Sequence, residues 1–201
     1  VPRVLSSEDV EAFRRRLCEA AEGLFAERGI EAVTMRELAQ ALGVSPMTPY
    51  RYFKDKDAIL AAVRTAAFAR FAARLETAMA VPADPLHRSR NAGQAYVDFA
   101  LAEPLAYRLM FDLNQPTEGD YPELQAAIVR ARRTMTVHVE AMIAAGLLDG
   151  DAELIGHLFW SVLHGMLMLQ LTGKLSPAID PARLRALALT TLVRGLGIAA
   201  P

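Results

Sequence analysis

No stretch of this chain alternates apolar and polar residues long enough to make a strand. Apolar residues instead recur at three- and four-residue steps, as along Val10, Phe13, Leu17, Ala20 or Ala21, and Leu24. That spacing puts them on one face of a helix. Composition points the same way. There are 36 Ala and 27 Leu but only 13 Val and 7 Ile, so strong helix formers far outnumber the β-branched residues that fill strands. The expected fold class is all-α. With 53% hydrophobic residues the chain can bury a core, which excludes a disordered protein. A single cysteine, Cys18, excludes an intrachain disulfide framework and fits a reducing, cytoplasmic setting. Residues 1–9 contain no long apolar stretch, so no signal peptide is expected.

Local signals divide the chain into about nine helices. The first runs over 7–28, with Ser6 or Ser7 as cap and Gly29 as a left-handed stop. Thr34-Met35-Arg36-Glu37 is a capping box that opens a short helix over 35–42. Gly43-Val44 breaks it, and Ser45-Pro46 starts another that ends near Phe53. A long helix follows over 56–80, and Val81-Pro82-Ala83-Asp84-Pro85 is the clearest linker. Further helices are expected at 86–102, 104–113, 122–146, 152–173 and 181–197, with residues 114–121 among the separators. Residues 154–173 carry no formal charge and are long enough to span a bilayer. Their polar content (His157, Ser161, His164, Gln170, Thr172) favours a helix buried on nearly all sides, in a core or between subunits, with no membrane.

Two short helices around a Gly turn suggest a helix-turn-helix. Leu38, Leu42 and Val44 can pack against the first helix, and Ala39 permits close approach. The second short helix offers Ser45, Met47, Thr48, Tyr50, Arg51 and Tyr52, a surface suited to phosphates and base edges, and Lys54 and Lys56 follow. Over the whole chain 22 lysines and arginines face 23 acidic residues, a net charge of −1 that at first speaks against nucleic acid. Residues 34–70, however, hold six basic residues (Arg36, Arg51, Lys54, Lys56, Arg64, Arg70) and three acidic ones, or +3. The other 164 residues carry −4.

Leu24-Phe25-Ala26-Glu27-Arg28-Gly29, Thr34-Met35-Arg36-Glu37-Leu38-Ala39, Gly43-Val44-Ser45 and Tyr50-Arg51-Tyr52-Phe53-Lys54-Asp55-Lys56 together resemble the TetR family of transcriptional regulators. The resemblance implies an N-terminal three-helix DNA-binding domain, placed at 1–55, and a helical ligand-binding and dimerisation domain at 56–201. It makes 46–53 the recognition helix. Thr34, Tyr50, Tyr52 and Lys56 then fall where phosphate is commonly touched, with Arg36 and Lys54 beside them. Ser45, Met47, Thr48 and Arg51 fall where bases are read. Pro49 departs from the family, which usually has an aliphatic residue there. It removes a helical bond to the Ser45 carbonyl and should push Thr48 away from helical angles, giving a bent or late-starting recognition helix.

In the C-terminal half, residues 103–111 and Trp160-Ser161-Val162-Leu163-His164-Gly165 resemble the subgroup with a Trp…His-Gly signature. Tyr96, Phe99, Tyr107, Met110, Phe111, Met135, His138, Met142, Trp160 and His164 are the candidates for lining an apolar ligand pocket. By the same likeness, helices 152–173 and 181–197 meet their copies in a homodimer. A symmetric dimer suits a near-palindromic operator. Four histidines without acidic partners at ligand spacing give no metal site, and no cofactor motif is present. No catalytic constellation appears, so no enzyme is expected. The resemblance implies a transcriptional regulator released from DNA by an unidentified small effector, with repressor favoured over activator by that likeness alone. An apolar pocket would favour this reading over a helical interaction module without a ligand.

Overall fold

The computed structural model describes residues 6–112 and 118–198. Residues 1–5 of the start expected to lack a signal peptide, the last residue of the helix expected over 104–113 and separator residues 114–117 lie outside the described residues. Within them the chain is all helical. The α-helices are α1 (Ser7–Arg28), α2 (Met35–Ala41), α3 (Lys56–Ala80), α4 (Pro85–Ala102), α5 (Pro104–Met110), α6 (Pro122–Ala144), α7 (Ala152–Leu171) and α8 (Pro181–Gly195). Short 3₁₀ turns occupy Pro49–Arg51 and Glu118–Asp120.

Cap chemistry sets many of these bounds. Ser6 and Asp9 form a capping box at α1, and Thr34 and Glu37 form another at α2. Asp84, Asp151 and Asp180 cap α4, α7 and α8, each accepting from backbone amides of the first turn. Gly29 ends α1 with φ +83°, but its ψ of 152° is extended rather than left-handed helical.

The third of the nine expected helices, over 46–53, is absent as an α-helix. Residues 45–52 instead form successive three-residue turns: Thr48 N–H donates to Ser45 O at 2.8 Å, Arg51 N–H to Thr48 O, and Tyr52 N–H to Pro49 O. The Ser45 carbonyl, which an α-helix would leave facing the missing Pro49 amide, accepts from Thr48 instead. The late start follows from Pro49 as anticipated. The expected displacement of Thr48 does not occur, since it keeps helical angles (φ −64°, ψ −44°) as the residue before the turn. The hydrogen-bonded turns on both sides of Thr48 override the local preference against that conformation before proline.

The chain forms two compact units. The first holds the described residues up to Ala69 together with those of Leu105–Ile128. Its core joins Leu17, Ala21 and Phe25 of α1, Leu38 of α2, Phe53, then Ile59, Leu60 and Val63 of α3, with Leu109 of α5. The second unit holds Arg70–Pro104 and the described residues from Val129 onward. There Phe71 meets Tyr96 and Phe99 edge to face, each at 5.3 Å between ring centres. A Cβ at Gly156 would lie 2.6 Å from the Met135 carbonyl oxygen, so glycine lets α7 approach α6 closely. Gly165 on the same helix has open space around it.

The helix α7 is long and apolar enough to cross a membrane by length and composition, and 28% of its most apolar window is buried. The expectation of burial on nearly all sides is therefore not met within this chain. Leu154, Leu158, Ser161, Gly165 and Leu169 form an exposed stripe at helical spacing along it.

Candidate nucleic-acid interface and ligand cavity

The first unit presents residues 45–52, the segment expected to read DNA, on a short, well-braced turn. The positive φ of Gly43 (+65°) lets the chain leave α2, and Val44 N–H returns to Ala39 O at 3.0 Å. Pro49 is buried and anchors the 3₁₀ turn from beneath. Met47 is 67% exposed and Tyr50 48% exposed, and Ser45 and Arg51 also face solvent. Thr48 is half-buried. Arg36 and Lys54 are exposed.

Five of the expected contact residues have structural partners. Ser45 Oγ accepts from Met47 N–H at 3.4 Å, and Lys54 Nζ lies 3.9 Å from the Asp55 carboxylate. The Thr34 hydroxyl accepts from Glu37 N–H at 3.2 Å and bonds its carboxylate at 2.9 Å. The Thr34 backbone N–H, which donates to the same carboxylate at 2.9 Å, then the hydroxyl bond and Arg28, hold the Glu37 carboxyl below its ordinary range. The Tyr52 ring stacks on Phe13 with centres 4.2 Å apart. Lys56 Nζ donates to Ile30 O at 2.8 Å, using one of its three donors. Of the six basic residues counted over 34–70, Arg64 is 2% exposed and Arg70 pairs with Glu103 at 2.8 Å. Neither adds to an open basic surface. The open positive charge within 34–70 is carried by the exposed Arg36, Arg51 and Lys54, with the half-buried Lys56 beside them.

Arg14 was not anticipated, because a charged residue on α1 looks like ordinary solvated surface. Its Nη1 donates to the Tyr52 carbonyl at 2.6 Å, and its guanidinium lies 4.2 Å above the Phe53 ring centre. It thus ties the end of the recognition turn to α1. Replacing Arg14 by Ala removes a charge-assisted bond worth about 1.5–3 kcal/mol. We expect Arg14→Ala to weaken binding to a specific duplex about tenfold or more while the thermal transition stays cooperative. Fluorescence anisotropy checks this, and unchanged affinity would remove the bracing role.

The second unit contains a cavity of about 530 Å³ between α4, α6, α7 and α8. Tyr96, Met135, His138, Met142 and Trp160 line it, five of the ten candidates. The other five lie elsewhere. Phe99 is fully buried against Phe71. Tyr107, Met110 and Phe111 belong to the first compact unit, and His164 is half-buried on α7 outside the cavity wall. An aromatic or Met at helical spacing marks a buried face, but the spacing does not say whether that face meets core or cavity. Leu75, Leu86, Val97, Phe159, Leu163, Leu189 and Val193 supply much of the apolar wall. Ser89, Arg90, Gln94, Arg185, Thr190 and Arg194 add polar groups that were not anticipated. The available signal was on α8, where Ala182, Ala186, Leu189 and Val193 make one stripe flanked by Arg185 and Arg194.

Trp160 Nε1 donates to the Tyr96 hydroxyl at 3.0 Å, and His138 Nδ1 shares a 3.0 Å hydrogen bond with Ser89 Oγ. Burial pushes the His138 imidazole down to about 4 from 6.5, so it is neutral at neutral pH. The unfolded chain takes up that proton below about pH 6.5 and the folded chain does not. The His138 contribution to stability is therefore complete above about pH 6.5 and is lost as pH falls toward about 4. Burial lowers His164 too, with the same sign. We expect His138→Gln to lose less stability than the wild type between about pH 7 and about pH 5 in urea unfolding. Parallel losses would contradict the neutral, desolvated state of His138.

Burial pushes the Cys18 thiol up to about 11, away from a reactive thiolate. Among the described residues no three His, Cys, Asp or Glu side chains are grouped to hold a metal ion.

Residues 17–63 match the family model described as bacterial regulatory proteins, tetR family, and residues 89–192 match tetracyclin repressor-like, C-terminal domain. The HTH-type transcriptional activator FasR of Mycolicibacterium smegmatis is 30% identical over 131 residues, covering 65% of this chain and 58% of that protein. The HTH-type transcriptional repressor Rv1474c of Mycobacterium tuberculosis is 38% identical over 63 residues, covering 31% of this chain and 33% of that protein. The chain thus spans less than two thirds of either relative. Among solved structures, a protein of unknown function from Rhodococcus sp. RHA1 superimposes with a TM-score of 0.80 at 28% identity, over 97% of this chain and 98% of that one. The TetR family transcriptional regulator PfmR from Thermus thermophilus gives 0.72 at 26% identity, over 90% and 98%.

Proposed function

Because this chain belongs to the TetR family of DNA-binding transcriptional regulators, we propose that it is a homodimeric, cytoplasmic repressor released from a near-palindromic operator by a small, largely apolar ligand. Residues 1–55 form the DNA-binding domain in this reading, and 56–201 the ligand-binding and dimerisation domain. Thr34, Arg36, Tyr50, Tyr52, Lys54 and Lys56 hold phosphates. Ser45, Met47, Thr48 and Arg51 read bases. The observation that carries the ligand half of this proposal is the 530 Å³ cavity, within the size range of small-molecule sites and walled mostly by apolar side chains.

The dimer is supported by the exposed apolar stripe of α7 and by Leu187 of α8, which is 66% exposed. Ligand acts only if it binds the DNA-incompetent state more tightly than the competent one. The helix α3, which contributes residues to both compact units, is the proposed lever. A second reading, a ligand-responsive activator, is favoured by the longer match to a protein named an activator.

Selection of duplexes from a random pool tests the DNA half. We expect enriched sites with two related half-sites whose centres lie about one helical turn, ~34 Å, or a multiple of it, apart. Enrichment of single half-sites would count against a dimeric reader, and no enrichment against sequence specificity.

A further inference from the structure

We propose that the cavity takes an amphipathic anion, an apolar body carrying a carboxylate or phosphate group, with Arg185 as the residue that receives the charge. This deepens the ligand reading above and rests on it. The cavity wall holds three guanidinium groups, Arg90, Arg185 and Arg194, and no Asp or Glu among the described residues. Its histidine, His138, is neutral and bonded to Ser89. The wall is therefore cationic without internal compensation.

Arg185 is the distinctive member. It is half-buried, and its Nη1 donates to Gln170 Oε1 at 2.6 Å. Gln170 is a neutral acceptor, so it fixes the guanidinium without cancelling its charge. A guanidinium has five donors in a planar fork, and one suffices for Gln170. The remainder suit the paired oxygens of a carboxylate or phosphate. Arg90 and Arg194 are exposed, while apolar lining residues such as Leu75, Val97 and Met142 are buried. Charge therefore sits toward water and apolar surface away from it, the division an amphiphile requires. A cationic ligand would meet like charge. A wholly apolar one would desolvate Arg185 with no counter-charge, which costs free energy.

Trp160, the chain's one tryptophan, lines the cavity and reports occupancy by its emission. The probes are dodecanoate, dodecyl phosphate, dodecanol and dodecyltrimethylammonium, titrated below their micellar concentrations into the full chain. We expect at least one of the two anions to bind about tenfold or more tighter than the alcohol and the cation. Arg185→Gln should remove most of that preference without lowering dodecanol affinity, and retained dodecanol binding also serves as its folding control. Arg185→Lys should restore only part of it, because an ammonium lacks the planar fork. If the alcohol or the cation binds as tightly as both anions, the charge preference is overturned and the ligand reading stands. If the anion preference survives Arg185→Gln, the assignment to Arg185 is overturned. If none of the four alters Trp160 emission, the amphiphile proposal falls, while the ligand reading is judged separately by whether any bound small molecule shifts operator affinity.

Discussion

Leu154→Glu combined with Leu187→Glu is expected to turn a dimer into a monomer and to lower operator affinity by at least about a hundredfold. Both leucines are largely exposed in the single chain, at 71% and 66%. Leu154 begins the α7 stripe that runs through Leu158, Ser161, Gly165 and Leu169. A leucine buried at an interface contributes about 1.5–3 kcal/mol, and a symmetric dimer counts each position twice. The variant also places four carboxylates in an apolar contact without partners, which costs several kcal/mol more. Operator binding should fall with dimerisation because two linked readers gain about 10²–10⁴ over one. Sedimentation gives the mass and anisotropy the affinity. A double variant that stays dimeric with unchanged affinity would place the interface elsewhere.

Phe25→Ala is expected to lower stability by about 3–5 kcal/mol. Phe25 is 2% exposed and packs in the core that joins α1, α2 and α3. Truncation removes the aromatic transfer free energy and leaves a cavity in the core that Phe25 shares with Leu17, Leu38 and Val63. Urea unfolding measures this as a lower midpoint with an unchanged slope. A shift below about 1 kcal/mol would mean the site repacks, and that this core is looser than its burial implies.

Much of the fold was legible in the sequence because its signals are local. The bounds of α1 and α3 agree with those read from periodicity, and the Thr34–Glu37 box forms as read. Pro49 announced a disturbance, and the α-helix over 46–53 is indeed replaced by a 3₁₀ turn. The angles of Thr48 were not legible, since they depend on hydrogen bonds from both flanking turns. The cavity was half legible. Tyr96, Met135, His138, Met142 and Trp160 were found because apolar periodicity marks buried faces. Tyr107, Met110 and Phe111 carry the same signal but lie in a different compact unit, a fact of tertiary contact. Arg90, Arg185 and Arg194 were passed over because arginine on a helix is usually solvated surface. Arg14 was missed for the same reason, and its partner is a backbone carbonyl, which leaves no trace in residue type.

Occupancy of the cavity is the proposed control on DNA binding. The most direct test uses an operator from the random-pool selection and a small molecule identified by its effect on Trp160 emission. Operator affinity is measured by anisotropy without that molecule and at saturation. The expected result is a dissociation constant raised by about tenfold or more, a coupling in the range usual for allosteric proteins. An unchanged constant at full occupancy would contradict that control.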